Sequence, residues 1–107
     1  MTIRVILVSP AESEASRSAA FDAGTPLTER GRKAAAGLRA RGVPLPPENA
    51  RACRAPSPRC HETAGLLGHP AAVPDPALAG QDPGRWRGRA LDAVAAEEPA
   101  ALAAWLS

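Results

Sequence analysis

The side chains able to do chemistry lie mostly in the middle of the chain. Cys53 and Arg59 stand in a Cys-x5-Arg spacing. In that arrangement a cysteine thiolate attacks a phosphate cradled by backbone N–H groups with a helix start behind them. Here Pro56 and Pro58 remove two of those donors, and no glycine lets the backbone come close. The pattern reads instead as a small buried cysteine on a short strand. Arg59 has a second use that does not need the cysteine. Ser57 followed by Pro58 is a helix start, with serine as N-cap and proline as the first helical residue. An arginine in that first turn sits beside free N–H groups and the positive end of the helix dipole, where an oxyanion is favoured. The two histidines are not placed for catalysis: His61 shares an exposed face with Glu62, and His69 follows a helix-ending Gly68. Arg85, Arg87 and Arg89 alternate around Trp86, which can clamp nucleic acid by charge and stacking. One aromatic is a poor platform, and Asp82 and Asp92 flank the loop, so no nucleic-acid partner is expected. Glu97 and Glu98 precede Pro99 and read as helix first-turn residues rather than paired catalytic acids.

These residues must be positioned by few elements. Ile3 to Val8 is a short β-branched run that stops at Pro10, and reads as a strand buried on most of both faces, as in a parallel sheet. Residues 9–26 read as loop. Thr28 N-caps a helix over 29–41, with a narrow buried stripe of Ala34, Ala35 and Leu38 and Gly42 just past its end. Residues 43–47 form a stiff proline-rich connector. A second strand is expected at 51–54, a helix from Pro58 to Leu67 with Cys60, Ala64 and Leu67 on one face, and a third strand at 71–73. Residues 74–89 read as loop. Two alanine-rich helices follow, 91–98 and 99–105, broken at Pro99. Alternating strands and helices predict an α/β fold with a mainly parallel sheet.

Composition narrows the class. The chain has 107 residues, which predicts one domain over 1–107. Alanine supplies 25 of them, and Ile, Leu, Val and Phe together only 18, so each buried residue contributes little. The net charge of +2 is too small for a disordered chain. Residues 28–60 carry eight basic and two acidic side chains, a field that attracts an anion or solvates a helix face. Two cysteines make no disulfide framework, and a structural zinc site wants four ligands, so no metal and no cofactor is expected. The apolar start is too short for a signal peptide, and no run of about 18 apolar residues exists. The protein is expected to be cytoplasmic, with no membrane partner.

Four stretches then point to a family. The first strand ends Leu7-Val8-Ser9-Pro10-Ala11-Glu12-Ser13. Residues 24–31 read Gly-Thr-Pro-Leu-Thr-Glu-Arg-Gly, residues 58–64 Pro-Arg-Cys-His-Glu-Thr-Ala, and residues 84–89 Gly-Arg-Trp-Arg-Gly-Arg. In order and spacing they resemble the N-terminal part of the histidine phosphatase, or phosphoglycerate mutase-like, superfamily over nearly the whole chain. The resemblance implies a partial three-layer αβα sandwich and phosphoryl-transfer chemistry. It aligns the family's Arg-His-Gly with Ser9, Pro10 and Ala11, so the histidine nucleophile is replaced by proline and the first anion-binding arginine by Ser9. Arg59 matches the second phosphate-binding arginine. Leu78, Ala79 and Gly80 stand at the Leu-Arg-Glu stretch that carries the general acid, and Trp86-Arg87-Gly88 at its Trp-Glu-Gly. The family's C-terminal segment, with its second catalytic histidine, is expected to be lacking.

The resulting expectation is a degenerate, catalytically inactive relative with no catalytic residue. It keeps weak binding of phosphate or a phospho-ligand through Arg59, Ser9 and Ser13. Two alternatives stay open. One is an active phosphatase or mutase-type enzyme using another nucleophile or a partner's residues. The other is an interaction module whose open sheet edge pairs with another chain. Leu102, Trp105 and Leu106 are spaced as a terminal apolar stripe, and a homodimer covering it is expected.

Overall fold

Residues 2–107 are described by a computed structural model. The Thr28 prediction is met: its hydroxyl accepts from the Gly31 N–H at 2.9 Å and caps α2, Glu29–Ala36. The helix is shorter than expected because Gly37 ends it and the next residues form turns. Its buried residues are Gly31 and Ala35; Ala34 is exposed and Leu38 half-buried. Gly31 is required by packing, since a Cβ there would lie 2.3 Å from the Glu12 carbonyl oxygen. Before it, the expected loop contains a one-turn helix, α1, Glu14–Arg17. Ser13 and Ser16 cap that turn reciprocally, a local preference of serine that hydrophobic periodicity does not register.

Strand β1 is Cys53–Arg54 and strand β2 is Val73–Pro74. They pair in parallel, Cys53 opposite Val73, and helix α3, Pro58–Leu66, crosses between them. The fold is thus α/β with a small parallel sheet, a partial version of the expected architecture. The sheet has two strands among the described residues, and the Ile3–Val8 run is not one of them. That expectation is corrected. Residues 2–10 make no backbone–backbone hydrogen bond within the described chain, and Ile3, Val5 and Leu7 are 84%, 75% and 91% exposed. The run has the side chains of a strand, but β1 and β2 bond only each other. Cys53 is exposed for the same reason, not buried.

Two further helices, α4 (Leu91–Glu97) and α5 (Pro99–Leu106), break at Pro99 as expected. They pack on the largest apolar cluster: Trp86, Val94 and Leu102, with Phe21 and Trp105 against it. Phe21 meets Trp86 at 5.6 Å and Trp105 edge-on at 5.4 Å. Residues 19–21 are laced to 88–91 by backbone bonds, among them Phe21 N–H to the Arg89 carbonyl at 2.9 Å. The terminal stripe is therefore corrected too. Leu102 and Trp105 are covered by the chain's own cluster, and Leu106 stays exposed. No described helix is long and apolar enough to cross a membrane.

Candidate functional site

The start of α3 is built as its sequence requires. Ser57 is the N-cap and Pro58 the first helical residue, but the Ser57 hydroxyl makes no capping bond. Arg59 follows in the first turn. Its Nε is buried without a hydrogen-bond partner and lies 3.7 Å from Asp22 Oδ2. The other Asp22 oxygen accepts from the Gly24 N–H at 3.1 Å.

Two side chains one turn along α3 tie the site to the rest of the molecule. Thr63, 6% exposed, donates its hydroxyl to the Arg59 carbonyl at 2.7 Å and accepts from the Ala11 N–H at 3.1 Å. It thereby seats the end of the N-terminal run against α3. Glu62 accepts from the Leu27 N–H at 3.0 Å and from Arg32 Nε at 2.8 Å. The Arg32 hydrogen bond, followed by that of Leu27, holds the Glu62 carboxyl below its ordinary range. Sequence reasoning missed Thr63, Glu62 and Asp22 as positioning groups. The Arg59-x-x-x-Thr63 spacing held a signal, since a threonine one turn on bonds back to the i−4 carbonyl.

A histidine phosphatase superfamily (branch 1) model matches residues 5–107. The chain belongs to that superfamily. No curated protein matches it in sequence. The histidine phosphatase resemblance assigned three residues to an anion, and their surroundings differ. Arg59 faces Asp22. Ser9 is exposed and lines a cleft of about 180 Å³ with Val8, Ala35, Leu38 and Thr63. Ser13 is fully buried, its hydroxyl accepting from the Ser16 N–H at 3.2 Å. No hydrogen bond joins any two of them within the described residues. Pro10 is half-buried, His61 exposed and His69 half-buried. The arginines around Trp86 are each paired: Arg85 with Glu98, Arg87 with Asp82 at 2.5 Å, and Arg89 with Glu97 and Glu98. Among the described residues no group of three His, Cys, Asp or Glu is placed to hold a metal ion.

Proposed function

We propose that this is a catalytically silent histidine phosphatase-like domain that keeps a weak oxyanion site at Arg59. The feature that carries the reading is Pro10, which the resemblance sets where the family has its phosphoryl-accepting histidine. Proline has neither a nucleophilic atom nor a backbone N–H. Gly80, at the general acid's position, supplies no proton, a loss worth about 10²–10⁴-fold by itself. Arg59 in a helix first turn supports binding by charge-assisted hydrogen bonds. Ser9 is free to assist from the end of the N-terminal run, whereas the Ser13 hydroxyl would have to leave its cap to do so.

The test is turnover of a generic phosphate ester by rigorously purified protein, with no activity above background expected. Activity that survives His61→Ala and His69→Ala would show another nucleophile, and its loss in Cys53→Ser would restore the cysteine reading. Inorganic phosphate should shift amide signals around residues 57–60, and Arg59→Ala should remove the shifts. A second reading, an interaction module, draws on the exposed Ile3–Val8 run. Its occupant is a second copy, since each chain offers both the unbonded Ile3–Val8 run and, among the described residues, a β1 edge with no strand beside it.

A further inference from the structure

Residues 43–47, Val-Pro-Leu-Pro-Pro, lie between α2 and β1. Proline fixes φ at about −65°, which sets 44, 46 and 47. A residue before proline is held extended, which sets 43, 45 and 46. The whole run is thus biased to polyproline II, and it is neither helix nor strand. Backbone bonds tie it at its two ends: the Val43 N–H donates to the Leu38 carbonyl at 3.1 Å, and the Ala50 N–H to the Pro47 carbonyl at 3.0 Å. Polyproline II repeats every three residues, so one edge carries Pro44 and Pro47. Arg41 stands one further step of three before them. All three are exposed, as is Val43, whereas Pro46 is half-buried. Leu45 is half-buried too, and lines a hollow with Ala35 and Ala36 of α2 and Leu66 of α3. The run therefore rests on the body through Leu45 and turns its Pro44–Pro47 edge to solvent, a division that a plain spacer does not need. The Arg41 guanidinium donates to the Ala34 carbonyl at 3.3 Å and pairs with no carboxylate among the described residues. Gly42, at φ +73°, is the joint between Arg41 and the stiff run. Arg30, Lys33 and Arg39, on α2 and the turns after it, are exposed, and Glu48 is the one acid between Glu29 and Glu62.

We propose that Arg41 to Pro47 is a docking strip for a partner domain of the SH3 kind, whose aromatic-lined groove takes the Pro44–Pro47 edge and whose acidic rim takes Arg41. The chemistry matches on both counts. A polyproline II edge lies in an aromatic groove at little cost in chain entropy, because the prolines have already fixed it. An exposed arginine without a carboxylate of its own is open to a charge-assisted bond with one from the partner. The surrounding basic surface adds attraction for an acidic rim. Docking there needs neither Pro10 nor Arg59, so it is independent of the oxyanion reading.

The probe is a purified, isotope-labelled SH3 domain that selects Arg-x-x-Pro-x-x-Pro peptides, titrated with the unlabelled full chain. Amide signals lining its groove should shift as the chain is added. Arg41→Ala should weaken binding about tenfold, as expected for loss of a charged hydrogen-bond donor. Pro44→Ala and Pro47→Ala should each weaken it by about the same factor, since each removes a packed ring and a fixed φ. Both prolines are exposed, so the circular dichroism of these variants should match wild type. Arg39→Ala, which removes an equal charge outside the strip, should leave binding unchanged. The proposal is overturned if the wild-type chain shifts no groove signal. It is overturned equally if Arg39→Ala weakens binding as much as Arg41→Ala does, or if both proline variants bind like wild type, because charge alone would then account for the contact.

Discussion

Glu62 shows how much one side chain can hold. It joins the loop before α2, a helix α2 guanidinium and helix α3 at a single carboxylate. Its carboxyl is held below the ordinary 4.5 by Arg32 and then by the Leu27 N–H. A carboxylate with a lowered folded-state value adds stability that is complete above the unfolded value and is lost as pH falls through the folded one. Wild type should therefore lose more stability than Glu62→Gln between neutral pH and about pH 3, measured by denaturant melts across that range. At neutral pH Glu62→Ala should cost about 1 kcal/mol, mostly through the unpaired Leu27 N–H. At this scale the sequence was partly legible. Arg59 was identified from its place in a helix first turn, because helix starts are written locally in Ser57 and Pro58. Asp22 was not, because its position against Arg59 depends on a loop 37 residues earlier in the chain.

The helices were the most legible elements, and the reason is the same locality. Thr28, Ser57 and Pro99 mark their starts where expected. The strands were not, since a strand exists only if another lies beside it. Ile3–Val8 has the composition of one and no partner within the described chain. Two substitutions test the element best defined by its ends. Thr28→Ala should cost about 1 kcal/mol by loss of the cap to Gly31. Gly31→Ala should cost more, about 1–3 kcal/mol, because its Cβ would meet the Glu12 backbone and not a movable side chain. Chemical denaturation of both variants, with helix content as the signal, checks the order. Equal costs would mean that the α2 contact with residue 12 is easily relaxed.

The whole molecule is drawn out. Its radius of gyration is 15.9 Å, with extents of 48 × 34 × 20 Å, against about 13 Å for a compact chain of this length. Much apolar surface at the N-terminus is uncovered. Light scattering across a concentration series should show association above the 11.0 kDa monomer mass. Leu7→Lys together with Val5→Lys should suppress it, because charge on an open strand opposes edge pairing. Monomers at every concentration would remove the interaction reading. One last property follows from the packing of Phe21, Trp86 and Trp105. The chain has one Phe, two Trp and no Tyr, so that cluster holds every fluorescent side chain. Intrinsic fluorescence is therefore a lamp fixed in one corner, lit by the docking of α4 and α5 on the 19–21 segment. An emission melt follows the loosening of that corner. It parts from the circular dichroism curve whenever α2 and α3, which carry no Phe, Trp or Tyr, come undone first.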